Sequence, residues 1–140
     1  MIERLFILFV NNRLLIGFLL FVATAIILFL TLAPPSQLGE SGLYNYDKLG
    51  HFLLFFFWTI IFGMFMFSLK NEHASLLFIF FIGSVFGVTV EVMQGIVPFD
   101  RNPNLYDAIA DIAGSLTATI LLHFVKKNIF TAKMKRYQKK

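Results

Sequence analysis

The sequence contains no cysteine and few charged residues, and both shortages narrow the classes of protein to which it can belong. Without cysteine, disulfides, thiolate metal sites and a cysteine nucleophile are excluded. Only 14% of the 140 residues are charged, whereas 58% are hydrophobic and 19 are Phe. The mean hydropathy of +0.77 is far above the balance of a soluble domain. We therefore expect an integral membrane protein.

Proline is also scarce, and its four copies fall beside long apolar segments, at positions 34, 35, 98 and 103. A helix needs about 20 mostly apolar residues to cross a hydrocarbon core of about 30 Å. Four segments meet this requirement, at about 14–33, 51–69, 74–97 and 108–125. We predict an all-α fold, a single domain over residues 1–140 built as a four-helix transmembrane bundle, with a basic tail at 126–140.

The basic residues are distributed unequally between the two ends of the predicted spans. One end has ten Lys and Arg, namely Arg4, Arg13, Lys70, Lys126, Lys127, Lys133, Lys135, Arg136, Lys139 and Lys140, and the other has two, Lys48 and Arg101. Because cytoplasmic loops carry the excess of Lys and Arg, both termini should be cytoplasmic. The net charge of +4 comes from the tail, which is typical of an anchor to anionic lipid, so no nucleic-acid partner is expected.

Polar residues occur at one end of three predicted spans, the end that should face outward. Eight of them form what we call the polar cup: Asp47, Lys48, His51, Glu91, Gln94, Arg101, Asp107 and Asp111. Helical spacing places Glu91 with Gln94, and Asp107 with Asp111, on one face each. An acid inside a span costs roughly 2.5–3.5 kcal/mol, so these acids should face the bundle interior and find partners there.

Small residues lie in register with the acids. Gly83, Gly87 and Glu91 recur at every fourth position of the third span, and Asp111, Ser115 and Ala118, with Gly114 beside them, form a similar line on the fourth. Small residues allow helices to approach closely. Both acids should therefore lie where the helix backbones meet, leaving Phe-rich faces for lipid.

Because an acid inside a membrane span is costly, the charged residues of the cup should pair with one another. Arg101 is expected to pair with Glu91, Asp107 or Asp111, because a guanidinium suits carboxylates. One of these acids should hold a proton near neutral pH, Asp111 being the best candidate.

His51 and the acids are competent metal ligands, but no HExxH or comparable spacing occurs and Lys48 and Arg101 would compete for the acids. We expect no metal and no cofactor.

The motifs "DKLGHF", "EVMQ", a following Arg and "DAIADIAG" resemble the VanZ-like family of small bacterial membrane proteins, named after a member linked to teicoplanin resistance. The matching positions are Asp47, Lys48, His51, Glu91, Gln94, Arg101, Asp107 and Gly114, over roughly residues 44–120. The chain has Asp111 where the family usually has Asn. The resemblance implies a bacterial inner-membrane protein with a role in the cell envelope, and no defined mechanism.

Three functions remain open from the sequence. In the first, the cup binds an envelope amphiphile, such as a lipid headgroup, a lipid-linked wall precursor or a glycopeptide. In the second, the chain is an accessory subunit of a larger envelope complex. In the third, which the lack of a visible nucleophile disfavours, Glu91 with Asp107 or Asp111 acts as acid and base on a headgroup. A transporter is disfavoured because the inner halves of the spans carry few polar residues.

Overall fold

The computed structural model describes residues 12–33, 47–70, 73–97 and 103–137, with the backbone alone at 47 and 128–137. The described chain is all-helical, as predicted, and contains four helices: α1 (Arg13–Leu32), α2 (Asp47–Lys70), α3 (Leu76–Ile96) and α4 (Leu105–Tyr137). Each of these is long and apolar enough to cross a membrane. The chain is a multi-pass membrane protein.

Capping side chains and prolines define where α1 and α3 begin and end. The side chain of Asn12 accepts a hydrogen bond from the N–H of Leu15, and that of Ser75 accepts one from Phe78, so α1 and α3 both start at side-chain caps. Ala33 and Val97 have extended backbones after the last helical residues, and each precedes a proline. The residue before a proline is disfavoured in helical conformation, so α1 and α3 stop there.

Two helices extend beyond the predicted spans. Helix α2 begins at Asp47 rather than near 51, so the polar residues before the apolar run already belong to the helix. Helix α4 continues to Tyr137, because the basic segment after 125 contains neither Gly nor Pro. Its 33 residues correspond to about 50 Å, more than a bilayer core needs, so its end projects from the membrane.

Contacts between helix ends give the direction of each helix. His51, near the start of α2, lies beside Glu91 near the end of α3 and Asp111 near the start of α4. Gln94 near the end of α3 donates a hydrogen bond to the carbonyl of Thr31, near the end of α1. Helices α1 and α3 therefore run one way and α2 and α4 the other, and α2 contacts all three neighbours, α4 most extensively.

Apolar side chains fill the bundle away from the polar end. One buried cluster joins the first three helices through Ile27, Phe55, Trp58 and Val90. Another lies toward the opposite end and contains Met66, Phe67, Ala74, Ile79 and Leu122. The expected Phe-rich outer faces are present, with Phe18, Phe21, Phe57, Phe81 and Phe124 exposed. The described residues of the polar cup therefore lie at one end of a mainly apolar bundle.

Candidate functional site

Three buried titratable side chains meet near one end of the bundle, and we call them the buried triad: His51, Glu91 and Asp111. His51 lies four residues after the first residue of α2, Glu91 five before the last of α3, and Asp111 six after the first of α4. At 1.5 Å per residue these offsets are about 6, 7.5 and 9 Å, so the three groups share one depth. The convergence of three helices expected from the sequence is present.

The triad centres on the imidazole Nδ1 of His51. This atom lies 3.0 Å from Asp111 Oδ1, a hydrogen-bonding distance, and 3.7 Å from Glu91 Oε1. Asp111 is fully buried, and Glu91 and His51 are 5% and 7% exposed. Charged or strongly polar groups at this depth are costly unless they interact with one another. The contacts explain how the bundle accommodates them.

Asp107 and Lys48 lie about one helical turn closer to the end of the bundle than the triad. Lys48 Nζ is 3.8 Å from Asp107 Oδ1, at the outer limit of an ion pair. The side chain of Lys48 is 59% exposed, whereas that of Asp107 is 7% exposed. An ion pair with one exposed partner contributes little to stability. The polar cup thus combines one exposed lysine with a buried carboxylate, Asp107, and the buried triad.

A backbone contact from the start of α4 fixes the other oxygen of Glu91. The N–H of Asn104 donates to Glu91 Oε2 at 3.0 Å, and the side chain of Asn104 accepts from the N–H of Tyr106. Asn104 therefore joins the end of α3 to the start of α4. Glu91 Oε1, the oxygen facing His51, is buried and has no hydrogen-bond partner among the described residues.

Gln94 is buried like Glu91, as their spacing suggests, but its side chain contacts a different helix. It is buried, and its Nε2 donates to the carbonyl of Thr31 on α1 at 2.9 Å. The carbonyl lies in the last turn of α1, where helix carbonyls lack intrahelical partners. Gln94 therefore links α1 to α3, beside the triad rather than within it.

The small-residue lines predicted from the sequence are confirmed. A Cβ added at Gly87 would lie 2.6 Å from Cβ of Asp111, and one added at Gly83 would lie 2.8 Å from Oγ of Ser115. A Cβ at Gly114 would collide with the carbonyl oxygen of Phe52 on α2. Glycine at these positions lets α3 and α2 approach α4 closely, which brings Asp111 into contact with the other helices.

Two predicted cup members lie partly or wholly outside the described residues. Arg101 belongs to the undescribed segment 98–102, so its pairing with Glu91, Asp107 or Asp111 stays a prediction. Asp47 is the first residue of α2, and its side chain is not described. Among the six other predicted residues, Lys48, His51, Glu91, Asp107 and Asp111 come together and Gln94 lies next to them.

Sequence reasoning missed several polar contacts that support the site. Asn104 three residues before Asp107 is a typical helix-start pattern and could have been found. Thr59 and Ser115, whose hydroxyls hydrogen-bond at 3.1 Å between α2 and α4, lie beneath the triad. Single Thr and Ser residues in apolar runs carry no signal that identifies their partners. Their contact depends on how the helices are rotated.

The arrangement offers three buried carboxylates and a buried imidazole, together with the exposed Lys48. Such a set can accept hydrogen bonds, hold a cation or transfer protons among its members. Comparisons of the chain with protein-family models, with curated proteins and with solved structures find no match. The described residues therefore define a membrane protein with four apolar helices and a buried acidic cluster, and its function is argued from the site.

Proposed function

We propose that the polar cup binds the polar headgroup of an amphiphilic molecule of the bacterial cell envelope, in the outer leaflet of the inner membrane. The observation that carries the proposal is the exposed Lys48 beside the buried Asp107, at the end of the bundle where the buried triad lies. A headgroup held at the membrane surface can reach Lys48 first and Asp107 next, while its acyl chains remain beside the apolar outer faces.

The nature of the site favours binding over a purely structural role. Helices can be held together by neutral contacts, as Thr59 and Ser115 do here. Ionisable residues within membrane spans are costly and mark functional sites by default. Three acids from two helices exceed what packing alone requires, and the end of the bundle at which they lie has an exposed lysine suited to contact a ligand.

Two further arguments give the proposal its biological setting. The Lys and Arg asymmetry favours an outward-facing cup. The resemblance of the cup residues to the VanZ-like motifs favours a bacterial envelope role, with an effect on glycopeptide susceptibility. A lipid, a lipid-linked wall precursor and a glycopeptide each combine a polar head with an apolar anchor, so all three chemistries suit the site.

The test compares two lysines at opposite ends of α2, Lys48 in the cup and Lys70 as the control. Both are exposed, so neither substitution to Ala should disturb folding. Purified protein in nanodiscs is titrated with a phospholipid panel, a lipid-linked wall precursor and teicoplanin, and bound ligand is identified by native mass spectrometry. We expect Lys48→Ala to weaken binding of the preferred ligand at least tenfold and Lys70→Ala to leave it unchanged.

Equal binding by wild type and Lys48→Ala across the whole panel would refute a headgroup role for the cup. Isolation from native membranes distinguishes the alternative of an accessory subunit. If proteins rather than lipids accompany the wild-type chain in fixed stoichiometry, and Lys48→Ala releases them, the cup is a docking site for a membrane complex.

A further inference from the structure

The buried triad has the composition and spacing of a divalent-metal site. An imidazole nitrogen and two carboxylate oxygens can be chosen from His51, Glu91 and Asp111 so that all lie within 4.8 Å of one another. Imidazole and carboxylate are ligands of zinc and of neighbouring transition metals. The sequence lacks a compact metal-binding motif because the three ligands come from three different helices, so the argument rests on the folded geometry.

Two of the three distances between the ligand atoms are close to those of tetrahedral coordination, and all three lie within 4.8 Å. Zinc lies about 2.0–2.2 Å from nitrogen and oxygen ligands, so two ligands at a tetrahedral angle are about 3.4 Å apart. In the triad, His51 Nδ1 is 3.0 Å from Asp111 Oδ1 and 3.7 Å from Glu91 Oε1. Shifts of a few tenths of an ångström would bring both pairs to the required separation.

Glu91 supplies an independent indication that a ligand belongs here. Its side chain is 7% exposed and points Oε1 at His51, yet this oxygen has no hydrogen-bond partner among the described residues. A buried carboxylate oxygen without a partner is costly. Its second oxygen is already held by the N–H of Asn104 at 3.0 Å, the kind of supporting contact that orients carboxylates in metal sites.

Within the triad itself the charges also balance. Two carboxylates and a neutral imidazole neutralise one divalent cation, which lowers the cost of burying the group between apolar helices. Lys48, one of the two cations expected to compete, contacts Asp107 instead of the triad. We infer that His51, Glu91 and Asp111 bind a divalent transition-metal ion, with zinc as the ion to test.

The experiment measures zinc binding to tag-free protein in detergent, without added lipid, after treatment with a chelator and its removal. Calorimetry and elemental analysis should show one zinc per chain for the wild type, with an increase in melting temperature that chelator reverses. Glu91→Gln and Asp111→Asn should each weaken zinc binding at least tenfold. Glu72→Gln, which removes a carboxylate between α2 and α3 in the chain, is the matched control and should bind like the wild type.

The wild-type measurement decides the matter even where a variant fails to fold. A wild type that binds less than half an equivalent of zinc, or whose melting temperature zinc does not raise, would overturn the inference. Zinc binding that survives both Glu91→Gln and Asp111→Asn, with helical content preserved by circular dichroism, would also overturn it. Since no lipid is added and zinc alone is titrated, this result is independent of whether the cup binds a headgroup.

Discussion

Gly87 shows how much depends on the absence of one side-chain atom. Its position on α3 is opposite Asp111, where an added Cβ would lie 2.6 Å from Cβ of that residue. Real Cβ atoms do not approach so closely, so α3 and α4 would have to separate. The contacts of His51 with Glu91 and with Asp111 rely on this close approach, because they link three helices at one depth.

Gly87→Ala is therefore expected to reduce the free energy of unfolding by about 1–3 kcal/mol, the usual cost of overpacking. Gly50→Ala is the matched control, because a Cβ at this exposed helical position meets nothing within 4 Å. Ala should be neutral or stabilising at Gly50 since it favours helix. Denaturant unfolding in detergent micelles measures both. Equal stability of the two variants would show that α3 and α4 have more room than the structure gives them.

Asp111 permits a second test at the same scale. An amide at this position can donate to Nδ1 of an unprotonated His51, so Asp111→Asn can keep the 3.0 Å contact. Asp111→Ala removes the contact and leaves a cavity. With chelator present, we expect Asn to change the free energy of unfolding by less than about 1 kcal/mol and Ala to lower it by about 2–4 kcal/mol. Thermal unfolding should rank Asn well above Ala; the same loss for both would mean that the carboxylate itself is required.

The residues of the site were predictable from the sequence to the extent that helical spacing and depth define them. Glu91, Asp107, Asp111 and His51 lie at one end of predicted helices, and acids in apolar surroundings must seek partners. The choice of partner was not predictable. Gln94 contacts Thr31 rather than the triad because of the rotation of α3 relative to α1, which is set by packing along the whole helix.

At the scale of the helices, hydropathy located all four elements but not all their ends. Helices α1 and α3 end within about two residues of the predicted spans, because prolines stop them. Helix α2 starts before its apolar run, at Asp47, because an acid is favourable in the first turn of a helix. Helix α4 continues past its apolar run because Lys and Arg are also good helix formers. Apolar character defines where a helix can meet lipid, whereas caps and prolines define where it ends.

Lys126 has a structural role that the basic tail alone does not suggest. Its Nζ donates to the carbonyl of Ala74 at 2.8 Å, so the end of the membrane-spanning part of α4 is joined to the residue before the cap of α3. The side chain is half-buried. A hydrogen bond from a charged group in such surroundings is stronger than a surface ion pair.

Lys126→Met should therefore lower the free energy of unfolding by about 1.5 kcal/mol, while keeping most of the aliphatic packing. Lys70→Met, at an exposed lysine on the same end of the bundle, is the control and should fall within about 0.5 kcal/mol of the wild type. Unfolding by denaturant in micelles compares them. If both variants behave alike, Lys126 acts only as a basic flanking residue.

At the scale of the whole molecule, orientation decides which side of the membrane the polar cup faces. The alternating helix directions place the ends of α1 and α3 and the starts of α2 and α4 together, and the projecting end of α4 on the other side. By their positions in the sequence, ten of the twelve Lys and Arg are expected on the side opposite the cup. Such an excess favours the cytoplasm, so we expect both termini there and the cup outside.

Reporter fusions test this orientation. A reporter active only in the cytoplasm should work when fused after residue 140. A reporter active only outside the cytoplasm should work when the chain is truncated within residues 34–46 and the reporter is fused at that point. The reciprocal fusions are the controls and should be inactive. Activity of the external reporter at the C-terminus would place the cup at the cytoplasmic face and exclude a ligand in the outer leaflet.

Trp58 gives the molecule an intrinsic fluorescent probe at a useful place. It is the only tryptophan of the chain, and its indole N–H donates to the hydroxyl of Thr24 at 2.9 Å, across the contact between α1 and α2. Its ring stacks on Phe62 and is 7% exposed. Emission excited selectively in this indole therefore comes from one site. The wavelength of its maximum reports whether α1 still packs against α2, without any attached dye.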